Sequence, residues 1–225
     1  MEKLIYLIKG EPQESYSQFK DRIFDSLKTY AGAEQVALLK LVITEKSPPK
    51  LSIIPFKKKK IACISICNEK VSSSEIFAKM KGFSGAYRVT EALPVAYSKT
   101  WKDGEPTPGV CLFTLFKPKR GIEYDRFIDR WHNSHTPLSL RLHPLWNYNR
   151  NVVNEKLTSD SEEWSGIVEE HFRENSQLLN PFKFFGNPLV IIPHMLKVYT
   201  DTKSFLDYKT IETYLAMEYH IRSNF

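Results

Sequence analysis

The chain has 225 residues, of which 42% are hydrophobic, and this composition argues against wholesale disorder, collagen-like repeats and coiled coils. Its most apolar stretch, residues 188–199, is interrupted by Pro193, His194 and Lys197, so no transmembrane helix is expected. Three cysteines and a charged first segment predict a cytoplasmic protein without disulfides.

The formal net charge is +6, and its densest source is the lysine run 57–60. Such a run indicates either an anionic partner, such as nucleic acid, or a solvated strand end. Because the other charges are mixed along the chain, we favour the solvated end and expect neither nucleic acid nor a membrane as partner. RNA-recognition modules share the element order described below, but their aromatic strand motif is absent here.

Hydrophobic periodicity predicts the elements in chain order. The first half reads as strand 3–9, helix 16–30 opened by a capping box at Ser15 and Gln18, strands 36–44 and 61–67, helix 74–81 and strand 87–97. Residues 102–109 are rich in turn formers and predict a boundary. The second half reads as strand 110–117, helix 123–134, strands 146–153 and 166–172, helical segments 174–185 and 189–199, and strand 214–222.

The two halves also repeat each other. Segment 4–9 aligns without a gap on 112–117, Tyr16 on Tyr124 and Phe19 on Phe127. We interpret the chain as two copies, 1–103 and 109–225, each with the βαββαβ order of a ferredoxin-like unit. This predicts an α+β fold in which two sheets pack face to face and form an α/β barrel within one chain.

All six histidines lie in the second copy, which makes that copy the better candidate for a site. His135 continues the apolar stripe of helix 123–134, where the first copy has Leu27. It is therefore either a core histidine bonded to the backbone or an acid or base in a cavity. Pro137 should end or kink the helix. His132, His135 and His143 lack an acidic partner at fixed spacing, so we expect no metal.

Polar residues alternate with apolar ones along the second-copy strands, and in a barrel such a face lines a chamber. The expected chamber lies between the two halves, with Tyr148, Glu169, His171 and His220 around His135. No nucleotide, flavin, nicotinamide or haem fingerprint is present, so no cofactor is expected.

The run 117–138 resembles the EthD family of dimeric α/β barrel proteins, with Phe127, Trp131, His135 and Pro137 at its motif positions. Segments 165–169 and 201–207 and Glu218 are similar to further motifs of that family, although Ser165 replaces an aspartate and His171 an aromatic residue. The resemblance implies ferredoxin-like units that pair into barrels. It also implies cofactor-free decarboxylation or dehydration of aromatics, or oxygenase chemistry.

Two functions follow from the residues and the resemblance. The first is a lyase or cofactor-free oxygenase for a small hydrophobic or aromatic molecule, with His135 as acid or base and Tyr148 and Glu169 as further catalytic residues. Contacts to substrate are expected from five residues: Trp131, His132, His171, His220 and Arg150. The alternative is a barrel that binds a small ligand without catalysis. A homodimer remains open.

Overall fold

The computed structural model describes residues 2–31, 36–68 and 77–223. The first half contains β1 (Glu2–Lys9), α1 (Tyr16–Ala31), β2 (Val36–Ile43), β3 (Ile61–Asn68) and β4 (Phe83–Val95). The predicted capping box of α1 is present, because the Ser15 amide donates to Gln18 Oε1 and the Gln18 amide donates to Ser15 Oγ. Of the helix expected at 74–81, residues 74–76 lie outside the described residues, and residues 77–81 form turns instead of helix.

The second half begins with β5 (Val110–Phe116), α2 (Tyr124–Asp129), a π-helical segment (Arg130–His135) and α3 (Thr136–Leu142). It continues with β6 (Asn147–Lys156), β7 (Gly166–Phe172), α4 (Asn175–Leu179), α5 (Pro181–Phe185), α6 (Ile191–Phe205) and β8 (Glu212–Ser223). No helix of the described residues is long and apolar enough to cross a membrane.

The eight strands close into one barrel in the order β1-β3-β2-β8-β5-β7-β6-β4, and all neighbouring pairs are antiparallel. Each half therefore has the strand order of a ferredoxin-like unit, β4-β1-β3-β2 and β8-β5-β7-β6. The halves join where β2 pairs with β8 and β4 pairs with β6. This is the α+β barrel expected from the sequence, closed within one chain.

The barrel interior and the two helical layers are separate cores. Inside, Ile5 and Leu7 of β1 pack with residues from both halves, such as Phe113 and Tyr214. Outside, the alternate residues of β1 pack with α1 through Phe19. The outer face of the second-half sheet packs in the same way against helices of its own half. Successive residues of a strand therefore pack in different cores, one inside the barrel and one beneath the helices.

Pro137 does not end the helix, so of the two outcomes that the sequence predicted, an end or a kink, the end is excluded. Helical structure runs from Tyr124 to Leu142, and the turn before the proline is π-helical. The Thr136 hydroxyl donates to the Trp131 carbonyl at 2.9 Å within this wider turn. The absence of an N–H group on Pro137 is tolerated here because the backbone hydrogen bonds of a π turn are already shifted by one residue relative to those of an α-helix.

Candidate functional site

A cavity of about 380 Å³ lies between the outer face of the second-half sheet and the helices that cover it. We call it the helix-side cavity. Its floor is formed by outward residues of β5, β6 and β7, and its roof by the π-helical segment, α3, α5 and α6. The walls are mainly apolar, and they include Leu112, Phe116, Trp131, Val168, Phe184, Phe185, Met195, Val198, Phe205 and Leu206. Few polar groups reach it, as in most small-molecule sites.

His135 reaches this cavity and is held there by two hydrogen-bond partners. Its Nδ1 lies 2.9 Å from Asp201 Oδ2, and its Nε2 lies 3.2 Å from Ser139 Oγ. Ser134 also donates to Asp201, at 2.7 Å. Burial by itself would raise the pKa of Asp201, but the hydrogen bonds from His135 and Ser134 lower it. An ionised carboxylate can only accept, so the neutral ring carries its proton on Nδ1 and leaves Nε2 as the basic atom.

The local sequence explains this placement. Trp131 and Phe127 anchor the helix on the sheet, where Trp131 packs edge-to-face on Phe116 with ring centroids 4.8 Å apart. His135 follows one turn later on the same face and touches Phe205 of α6. Asp201 lies one turn before Phe205, so the docking of α6 brings its carboxylate to His135.

Glu170 is the second titratable group of the helix-side cavity. It lies on β7 between the opposite-facing Glu169 and His171, and its side chain lines the cavity. Among the described residues it has no hydrogen-bond or ion-pair partner, and burial raises the pKa of its carboxyl to about 7. A carboxyl with this pKa is available in both protonation states near neutral pH.

Tyr148 and Trp131 line the same helix-side cavity as His135. Tyr148 is buried on β6, and burial raises its pKa, which keeps the phenol protonated. Arg150 lies on the same face of β6 and donates to the Thr136 hydroxyl at 2.7 Å. It stands over the outer side of Trp131 and is not among the cavity-lining residues.

The structure does not bring Glu169, His171 and His220 to His135, and on this point the sequence expectation was wrong. Because strand residues alternate, these three side chains point into the barrel interior, on the opposite side of the sheet from the helix-side cavity. The sequence placed the chamber between the two halves. That space is instead filled by a packed core and by buried ion pairs.

We call these ion-paired residues the interior cluster: Lys40, Glu169, His171, Glu218 and His220. The ammonium of Lys40 contacts Glu169 and lies 3.1 Å from Glu218 Oε2. His171 Nε2 lies 3.2 Å from the same oxygen. Burial by itself would lower the pKa of Lys40, but the two carboxylates raise it well above its ordinary value. His171 and Lys40 in turn hold the pKa of Glu218 well below its ordinary value, against the effect of burial.

Three residues of the interior cluster have the spacing of metal ligands. One ligand atom each from Glu169, His171 and Glu218 lies within 4.8 Å of the others. The ammonium of Lys40 already contacts both carboxylates, however, so it supplies the positive charge that a metal ion would bring. We therefore assign the cluster as an ion-pair network.

His132 and His143 both have pKa values below the ordinary value. His132 flanks the helix-side cavity against Trp131, and burial and the nearby Arg150 lower its pKa. His143 lines the far wall of the cavity, where its Nδ1 lies 3.1 Å from the Phe184 carbonyl. Burial lowers the pKa of His143 to about 4, so it is neutral near pH 7.

Sequence analysis missed Glu170, Ser139 and the role of Asp201. Glu170 shares one face of the strand 166–172 with Val168 and Phe172, and a charged residue on such an apolar face could have been noticed in the sequence. Asp201 was noted only within the motif at 201–207. Its meeting with His135 depends on how α6 docks, for which the sequence has no local signal.

Two solved structures share the fold over nearly the whole chain. One is a proposed monooxygenase from Fusobacterium nucleatum, with a TM-score of 0.53 and 10% identity over 98% of this chain and 92% of that one. The other is an anthrone oxidase-like protein, with a TM-score of 0.60 and 10% identity over 98% of this chain and 91% of that one. No family model and no curated protein matches the chain. At this identity the likeness shows a common barrel fold.

Proposed function

We propose that this protein is a cofactor-independent enzyme of the lyase type, which transfers protons on a small apolar or aromatic molecule in the helix-side cavity. One observation carries the proposal: His135, fixed by Asp201, and the unpaired Glu170 reach the same apolar cavity. An imidazole held in one tautomer and a carboxyl with a pKa of about 7, together in a mainly apolar site, are typical of acid–base catalysis.

The roles follow from the partners of each group. His135 Nε2 accepts a proton from substrate, and Asp201 holds the ring in the required tautomer and stabilises the imidazolium that forms. Glu170, whose carboxyl has a pKa of about 7, donates a proton to the leaving group when it is protonated. The neutral hydroxyl of Tyr148 is available to orient a substrate oxygen.

The cavity limits the substrate to a compact, largely apolar molecule. Its volume of about 380 Å³ is at the lower end of the range for small-molecule sites, which suits a molecule of two or three fused rings. Aromatic walls such as Trp131 and Phe205 offer ring faces and edges to such a molecule. The resemblance of segment 117–138 to the EthD family supports the same class of substrate.

An oxygenase is the second candidate, and the names of the two structural neighbours favour it. Removal of a proton by His135 from an acidic carbon of an aromatic substrate leaves a carbanion. In a lyase this carbanion expels a leaving group that Glu170 protonates. In a cofactor-free oxygenase it gives its electrons to O₂ instead. Both candidates share the first proton transfer.

A test starts with a screen of hydroxylated aromatic acids and fused-ring phenols for binding, followed by turnover of the binders with and without O₂. We expect turnover without O₂, at least about tenfold slower in His135→Gln and in Glu170→Gln. Arg126→Gln, exposed on the preceding helix α2, is the matched control and should keep the wild-type rate. Turnover only with O₂ selects the oxygenase. Tight binding with no turnover difference among the three variants would show a non-catalytic binding protein.

A further inference from the structure

We propose that the outer rim of the helix-side cavity docks on an anionic phospholipid bilayer. The rim patch consists of exposed apolar side chains from the loop before β3, from α6 and from Leu189, two residues before α6: Leu51, Ile53, Leu189, Ile192, Leu196 and Tyr199. More than half of the large exposed apolar side chains in the described residues belong to it. Soluble chains seldom expose so many apolar side chains together without a partner.

The two segments of the rim patch meet at the cavity. Ile53 and Pro55 of the loop line it together with Met195 and Val198 on the inner face of α6. On the outer face of the same helix, Ile192, Leu196 and Tyr199 follow at i, i+4 and i+7, so they form one exposed stripe. Leu51 and Leu189 project furthest, with exposed fractions of 93% and 88%.

The two chain segments that carry the rim patch are rich in the positive charge that an anionic surface attracts. Six exposed lysines lie in the segments 47–60 and 186–206: Lys50, Lys57, Lys58, Lys59, Lys197 and Lys203. The only acidic residue in these two segments is Asp201, whose carboxylate is bound to His135. Each lysine near an anionic bilayer contributes about 1 kcal/mol to binding, and exposed leucines add the burial of their side chains.

A second copy of this chain suits the patch less well than a bilayer. A symmetric dimer through this face would place the lysines of one copy against those of the other, which is unfavourable. A bilayer with anionic headgroups accepts the lysines and the leucines together. Given the proposed function, docking would also let an apolar substrate pass from lipid into the cavity without crossing water. The sequence predicted no membrane partner. The placement of these two segments around one cavity is the reason to revise that prediction.

The test is co-sedimentation of the full chain with vesicles of phosphatidylcholine alone and with about one third phosphatidylglycerol. We expect binding to the anionic vesicles, weakened by salt, and little to the neutral ones. The double variant Leu51→Glu/Leu196→Glu should lower the partition at least about tenfold. Leu93→Glu is the matched control, since Leu93 is 51% exposed on β4, away from the cavity, and it should bind like wild type. Thermal melting confirms that both variants fold.

Several results would overturn the proposal. The first is wild-type protein that stays in the supernatant with anionic vesicles. The second is equal partition of the double variant and Leu93→Glu, which would show that the binding is unspecific charge attraction. If the wild type is a dimer and the double variant is a monomer, the patch binds a second copy of the chain. If the wild type binds polyglutamate as strongly as anionic vesicles, the patch binds an acidic protein. Ligand binding in vesicle-free solution, measured on the same variants, reports separately on the cavity and the proposed function.

Discussion

The substitution Glu170→Gln should make the protein more stable above neutral pH and impair its catalysis. Glu170 has a pKa of about 7 in the fold against an ordinary value of 4.5, because burial disfavours its charged form. Burial of this carboxyl therefore lowers the free energy of unfolding once the unfolded chain can ionise it. The loss begins as pH rises through about 4.5 and is complete above about 7. Glutamine keeps the shape of the side chain and has no charge to lose.

The size of this effect follows from the shift. The rise in the pKa of this carboxyl from 4.5 to about 7 corresponds to about 3 kcal/mol, and partial access of water to the cavity reduces this to about 2 kcal/mol. We expect the stability advantage of Glu170→Gln over wild type to grow by about 2 kcal/mol between about pH 5 and about pH 8.5.

Urea unfolding of both proteins across this pH range measures the difference. Glu123→Gln is the matched control, because Glu123 is exposed before α2, and its stability should follow the wild type at every pH. A difference between Glu170→Gln and wild type that stays constant with pH would refute the raised pKa. An unchanged turnover in Glu170→Gln would refute its role as the acid.

Three further predictions address the interior cluster, the histidine and the packing of the sheet. Lys40→Met leaves the buried carboxylate of Glu169 without its ion-pair partner and takes one partner from Glu218. It should cost about 3–5 kcal/mol of unfolding free energy by urea titration, whereas a loss below about 1 kcal/mol would contradict the ion-pair assignment. Asp201→Asn should lower kcat at least about tenfold with a smaller change in KM. It should also shift the ring ¹⁵N signals of His135 in NMR, and unaltered signals would contradict the positioning role of Asp201. Gly166→Ala should destabilise the fold by about 1–3 kcal/mol in thermal melting, because an added Cβ would lie 2.2 Å from Phe116 Cζ, and an unchanged melting temperature would show that this contact relaxes freely.

Most secondary structure could be predicted because local patterns dictate it. Apolar runs such as 61–67 became strands, and the Ser15–Gln18 box opened a helix where its side chains could satisfy free amides. Pro94 lies inside β4, since the pairing with β6 shifts register between Ala92 and Val95 and needs no proline N–H there. The helix continues past Pro137 because a π turn precedes it, and that turn was not visible in the sequence.

The candidate site could be predicted only in part. The apolar stripe through Trp131 located His135 on the face of its helix that turns toward the sheet, and the alternation of β6 put Tyr148 on one face of that sheet. Alternation also separates Glu169 from Glu170, but it does not say which of the two faces the helices. That depends on the closure of the barrel, which buries the Glu169 side against Lys40 of the other half.

The sequence by itself therefore determined most of the strands and helices, their order and the half of the chain that carries the histidines, because these depend on neighbours in the chain. The tertiary structure alone decided which strand face became the packed interior, where α6 places Asp201, and where a cavity remains. These features depend on contacts between residues far apart in sequence, such as Lys40 with Glu169 and His135 with Asp201, and no local pattern encodes the distance between them.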